Sequence, residues 1–181
     1  MAQKNILQYV LLGLLKNERM SGYDIKKAFE RDIGEFWQAN HSQIYPELKK
    51  LHGRLLIDKT IEITGEKLEK KIYAITDTGR QLLHEWLVSP TPELSVHKNE
   101  FNLKLYFIDD RNDPILPVMF DEQIHLHELK LEHLKERRTA LFSNAAPQEQ
   151  HFGHYLVLDY AIERETHNIN WLKSCHQNFK D

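Results

Sequence analysis

The chain of 181 residues is long enough for one large or two compact domains, and its formal charge of -3 is unevenly divided. Residues 1–89 carry 14 lysines and arginines against 12 acidic residues, whereas residues 90–181 carry 10 against 15, so only the first half suits a polyanion partner. The single cysteine, Cys175, excludes an intramolecular disulfide and a four-cysteine zinc site. No apolar run approaches the roughly 20 residues that span a bilayer, and the first residues lack a signal-peptide pattern, which together predict a cytoplasmic protein.

A first helix is predicted over residues 5–16, with Ile6, Tyr9, Val10, Gly13 and Leu14 on its inward face. Ser21-Gly22-Tyr23-Asp24 opens a second helix in which Ile25, Ala28 and Phe29 recur at helical intervals, and Gly34 closes it. Phe36-Trp37-Gln38-Ala39-Asn40 then leads into the most informative segment, His41 to Leu51. There Ile44, Leu48, Leu51 and Leu55 form one apolar stripe, while Ser42, Tyr45 and Lys49 share another face. Ser42 is the expected N-cap, and Pro46 falls in the first turn, where a missing N–H does least harm. An apolar back with a polar front suits a DNA major groove, so Ser42, Gln43, Tyr45 and Lys49 are the candidate contacts to bases and phosphates.

The period changes after Leu56. Ile57, Lys59, Ile61 and Ile63 alternate with Asp58, Thr60, Glu62 and Thr64, which predicts a strand. Thr64-Gly65-Glu66-Lys67 supplies a turn and residues 70–75 the returning strand, giving a wing that carries Lys59, Lys67, Lys70 and Lys71. Lys67, Lys70 and Lys71 suit salt-sensitive phosphate contacts, although a soluble hairpin tip would be equally basic. A helix from Thr76-Asp77-Thr78-Gly79 to about Val88 offers Leu82, Leu83, Trp86 and Leu87 for packing, and Ser89-Pro90-Thr91-Pro92 marks a domain boundary.

The remainder reads as helical. Phe101, Leu105 and Ile108 mark one segment, and a long helix follows from Pro114 or Leu116 to Phe142. Residues 144–148 separate it from a last helix with a stripe of Tyr155, Leu158, Ile162, Glu165, Ile169, Leu172, His176 and Phe179. That stripe predicts a homodimer through the terminal helices. The expected fold is mainly α with a small β wing: a winged helix-turn-helix domain over residues 1–89 and an all-helical dimerisation domain over residues 93–181.

Ser21-Gly22-Tyr23-Asp24, Phe36-Trp37, Ser42-Gln43-Ile44-Tyr45-Pro46-Glu47-Leu48 and the run from Lys71 to Gly79 resemble, in order and spacing, the DNA-binding domain of the PadR family of bacterial transcriptional regulators. Residues 99–107 and 152–158 are similar to the helical dimerisation domain of one of its subgroups. Where the family often has an acidic residue and a glycine before the wing, this chain reads His52-Gly53-Arg54-Leu55-Leu56, which implies a local difference at the first strand. The resemblance implies a dimeric repressor on an inverted-repeat operator in double-stranded DNA. It further implies control of a phenolic acid decarboxylase gene and release by hydroxycinnamic acids such as p-coumarate or ferulate, with the helical domain responding to the effector.

Arg19, Tyr23, Trp37, His41, His154 and Tyr155 form the candidate effector set, because an aromatic side chain can stack on a phenol while His154, His41 or Arg19 binds its carboxylate or hydroxyl. Plain packing by Trp37 and Tyr155 is the competing reading. His125, His127 and His133 do not converge with a carboxylate or cysteine at a diagnostic spacing and read as solvated, so no metal and no cofactor is expected. Absence of a nucleophile motif, a phosphate-binding glycine loop or paired catalytic carboxylates argues against an enzyme. A winged-helix regulator of a different small molecule and a winged-helix protein-interaction module are the alternatives.

Overall fold

The computed structural model describes residues 5–33, 37, 41–64, 68–91 and 98–178. The chain falls into two compact units, Met1–Leu94 and Ser95–Asp181. Gly34, Phe36, residues 38–40, the wing turn with Lys67, Pro92 and Phe179 lie outside the described residues.

The first unit runs α1 (Ile6–Leu14), β1 (Met20–Ser21), α2 (Gly22–Ala28) continued by a π-helical turn (Phe29–Ile33), a 3-10 turn (His41–Gln43), α3 (Ile44–Gly53), β2 (Ile57–Thr64), β3 (Leu68–Ile75) and α4 (Asp77–Val88). It is the expected winged helix-turn-helix. β2 and β3 pair from Ile57 opposite Ile75 to Thr64 opposite Leu68, and β1 adds a third antiparallel strand on the far side of β3. That third strand is too short, at two residues, to leave a period in the sequence.

One continuous core holds this unit, built on Leu11, Leu12, Ile25, Phe29, Ile44, Leu48, Leu51, Ile57 and Leu83. The inward face of α1 is Leu7, Leu11 and Leu12, rotated from the predicted one; Gly13 is exposed, and Tyr9, Val10 and Leu14 are half-buried. Nearly every residue of that helix is apolar, so the sequence gives its period no phase. Tyr9 nevertheless stacks on Trp86 of α4, with ring centroids 4.7 Å apart. Leu87 of the same helix is exposed rather than packed. On α3 the buried carboxylate of Glu47 accepts a hydrogen bond from Asn5 Nδ2 at 2.8 Å, fixing α3 to the start of α1.

Leu55 does not continue the α3 stripe. It is 72 % exposed and has φ 58°, the left-handed conformation that glycine adopts with least strain. Leu56 N–H donates to Leu51 O and Leu55 N–H to His52 O, both at 3.0 Å, which is the paired closure of a Schellman motif. Leu56 then turns back into the core. Beside this turn Thr76 caps α4: its Oγ1 accepts from Gly79 N–H at 3.1 Å and donates to Leu55 O at 2.8 Å. A Cβ on Gly79 would lie 2.1 Å from Leu56 O, so only glycine permits α4 to start this close to the end of α3.

The second unit comprises α5 (Glu100–Tyr106), α6 (Ile115–Leu141), α7 (Ala145–Gln150) and α8 (Phe152–Gln177). α7, capped by the Asn144 side chain, forms where only a separator was expected. The predicted stripe of α8 is buried at Leu158, Ile162, Glu165, Ile169, Leu172 and His176, but α8 lies along α6 of the same chain. The stripe therefore does not need a second copy to cover it. Two apolar clusters result, Phe101, Leu116, Phe120 and Leu172 in one and Leu134, Phe142, Leu158 and Ile162 in the other.

Glu165 stands between them along α8. It is 2 % exposed, with His127 Nδ1 at 2.5 Å, Arg164 at 3.0 Å and Lys130 at 3.8 Å. Burial pushes its carboxyl up, but the hydrogen bonds from His127 and Arg164 and the charges around them outweigh this and hold it below the ordinary glutamate value. His127 is thus engaged rather than solvated.

Candidate nucleic-acid interface

Ile44, Leu48 and Leu51 anchor α3 in the core and turn Tyr45 and Lys49 outward. Tyr45 is 54 % exposed, and Ser42 and Gln43 are exposed in the turn before the helix. Gln43 rather than Ser42 occupies the N-cap, and the Gln43 side chain makes no capping hydrogen bond. The 3-10 turn places Ser42 one residue too early for the predicted role.

Between α3 and the sheet lies a groove of about 670 Å³. Tyr45 and Lys49 line it from α3, Lys59, Lys70, Lys71 and Tyr73 from the β2–β3 hairpin, and Tyr23 from α2. The structure therefore gathers Tyr45, Lys49, Lys70 and Lys71 as the sequence reading expects, and adds Tyr23 and Tyr73. Burial, with neighbouring Tyr45, pushes the Tyr73 phenol above its ordinary 10.0, so it keeps its proton at neutral pH. Lysine ammoniums with phenol hydroxyls suit phosphate oxygens, while exposed Gln43 suits a base edge.

Gly22 and Asp24 are the contributors that the sequence reading missed. A Cβ on Gly22 would lie 2.6 Å from Tyr45 Cε1, so the bare backbone at the start of α2 is what the Tyr45 ring rests against. Asp24 closes a capping box with Ser21, accepting from Ser21 N–H at 3.2 Å and Ser21 Oγ at 2.6 Å while Asp24 N–H donates to Ser21 Oγ at 3.1 Å. The same carboxylate lies 3.2 Å from Lys70 Nζ. The Ser21 hydroxyl, with Lys70, holds the Asp24 carboxyl below its ordinary value despite burial that opposes this. The Ser-x-x-Asp spacing announces the cap; nothing local announces a partner on β3.

The candidate effector residues divide between the units. Arg19 pairs with Glu62 of β2 at 3.4 Å with both side chains largely exposed, and Lys27 Nζ lies 4.8 Å above the Tyr23 ring. Trp37 is half-buried against Phe29, at 5.7 Å between ring centroids. His41 starts the 3-10 turn, and its side chain is outside the described residues. In the second unit His154 and Tyr155 both meet Phe142 edge-on, with centroids 5.5 Å away. Among the described residues no group of three or more His, Cys, Asp or Glu is placed to hold a metal ion, and no helix is long and apolar enough to cross a membrane.

Residues 11–85 match the family model described as "Transcriptional regulator PadR-like family", and residues 97–180 match "Virulence activator alpha C-term". The chain is 44 % identical over 172 residues to the negative transcriptional regulator PadR of Bacillus subtilis, covering 93 % of this chain and 94 % of that protein. It belongs to the PadR-like family. The family and its members are transcriptional regulators, not enzymes. The fold is similar to crystal structures of Bacillus subtilis PadR with operator DNA (TM-score 0.88, 42 % identity, 97 % of this chain and 99 % of that one) and with p-coumaric acid (TM-score 0.81, 38 % identity, 98 % and 100 %).

Proposed function

We propose that this chain is a cytoplasmic, dimeric repressor that binds an inverted-repeat operator and releases it when a hydroxycinnamic acid such as p-coumarate accumulates, with a phenolic acid decarboxylase gene as its target. The groove between α3 and the wing is the observation that carries the DNA half: an exposed polar helix face and several lysines converge there. Similarity to a relative solved with operator DNA and with p-coumaric acid supports both halves. Ser42 and Gln43 meet DNA from the turn before α3, Tyr45 and Lys49 from α3, and Lys67, Lys70 and Lys71 from the wing.

Arg19, Tyr23, Trp37, His41, His154 and Tyr155 remain the proposed effector set, although Tyr23, which lines the groove, serves the DNA side as well. The dimer rests on exposed apolar side chains of α8, among them Phe152, Leu156 and Tyr160, which recur at four-residue steps. A two-fold dimer sets its recognition helices about 34 Å apart, one turn of duplex.

Footprinting on the promoter beside the chain's own gene, with and without p-coumarate, tests the proposal. Protection of an inverted repeat that weakens by about 5- to 150-fold with the acid is expected. His154→Ala and Tyr155→Ala should keep the footprint and lose its response. A footprint insensitive to every hydroxycinnamic acid would remove the effector; no footprint at all would remove the operator.

A further inference from the structure

Lys70 differs from its neighbours in the groove. Its ammonium is 3.2 Å from the Asp24 carboxylate, whereas among the described residues no ion pair engages Lys49, Lys59 or Lys71. Asp24 is not a swinging side chain: Ser21 N–H and Oγ hold the same Oδ2 atom that faces Lys70. Both side chains are 41 % exposed, so a DNA phosphate can reach the pair. It meets a lysine that already has an anion and, beside it, a fixed negative charge.

We propose that Asp24 is an internal competitor for the DNA backbone: it occupies Lys70, so that a phosphate gains this lysine only by displacing the carboxylate, and the affinity for duplexes of every sequence is thereby held down. This rests on the DNA-binding reading of the groove. Sequence-independent affinity comes chiefly from phosphates neutralised by lysine and arginine, each releasing a condensed counterion. Withdrawing one cation from that set weakens random duplex and operator alike. Discrimination between them stays with base contacts such as Gln43. Equal weakening leaves the specificity ratio unchanged and lowers the absolute affinity for both.

The test uses the full chain with Asp24→Asn, which removes the charge but keeps an oxygen able to accept both Ser21 hydrogen bonds. Binding to a random duplex and to the operator is followed by fluorescence anisotropy over a salt series, with thermal melting to check the fold. Both affinities should rise by about 2- to 10-fold at low salt, with a slope of log K against log salt steeper by about 0.9. In a Lys70→Ala background the steepening of the slope should vanish, leaving only the smaller gain from removing a carboxylate near the phosphates.

Equal or weaker binding by Asp24→Asn, or an equal gain without Lys70, would overturn the competition. A tether that merely holds the wing in place predicts the weaker binding. Should Asp24→Asn fail to fold, Lys70→Ala decides on its own: it should weaken random-duplex binding less than Lys71→Ala, and an equal or larger loss overturns the proposal. Failure of the wild-type chain to bind any duplex would instead overturn the DNA-binding reading itself.

Discussion

In the first unit, side chains from α1, α2, α3, the sheet and α4 converge on one continuous core, whereas in the second α6 and α8 share two smaller apolar clusters with the buried carboxylate of Glu165 between them. The difference matters for what each can do. A single close-packed core holds α3 from several sides and resists adjustment. A helix pair with a polar interruption has its register set by a directional ion cluster, at a desolvation cost that an apolar seam would not carry. The first unit is built to present a helix at fixed geometry, and the second contains a charge-dependent joint within its own packing.

Large-to-small substitutions should separate the two most widely. Leu51→Ala, at the centre of the first core, is expected near the upper end of the about 2–5 kcal/mol typical of such changes; Leu134→Ala, in a cluster with fewer neighbours to leave unsupported, should lie near the lower end. Denaturant unfolding of the full chain measures both. Equal losses would break the distinction.

Glu165→Ala comes next, with an expected cost of about 2 kcal/mol, below the about 3–5 kcal/mol for fully buried pairs because His127, Arg164 and Lys130 keep partial access to water. Its pH dependence is a sharper readout. The folded carboxyl titrates below the ordinary 4.5, so its contribution is complete above that value and is lost as pH falls through the lowered one. Acidification should therefore unfold the second unit earlier than it unfolds a Glu165→Gln variant measured against its own neutral-pH stability. A pH profile unchanged by Glu165→Gln would remove the joint.

A smaller effect is expected at Gly22→Ala. The new methyl displaces the Tyr45 ring rather than backbone, so stability should fall by only about 1 kcal/mol while operator affinity drops by several-fold, as read by anisotropy. The smallest change is a gain. Leu55→Gly relieves a left-handed leucine whose side chain is exposed, and should add about 0.5–1 kcal/mol in thermal melting, the higher chain entropy of glycine offsetting part of the relief.

Much of this was legible before the structure, and the exceptions have physical causes. Ile44, Leu48 and Leu51 stand out because polar residues separate them, and the alternation after Leu56 makes the wing visible; α1, apolar almost throughout, conceals its own inward face. Along α8 the period correctly marks a buried stripe. Periodicity says that a face is covered, not by what, and here α6 covers it. The candidate DNA residues on α3 could be read locally. Contacts such as Asp24 with Lys70 or Gly22 with Tyr45 could not, since they join residues far apart in the chain.

The junction around Thr76 has a mechanical consequence. One hydroxyl clasps the end of α3 to the start of α4, the Thr76 N–H adds a bond to Leu56 O at 3.2 Å, and Gly79 lets the two backbones touch. The two helices thus meet at a backbone elbow, and turning α4 about it would carry the end of α3 along. Loosening that elbow, for instance with Thr76→Val, would leave both helices folded and uncouple the lever from the load.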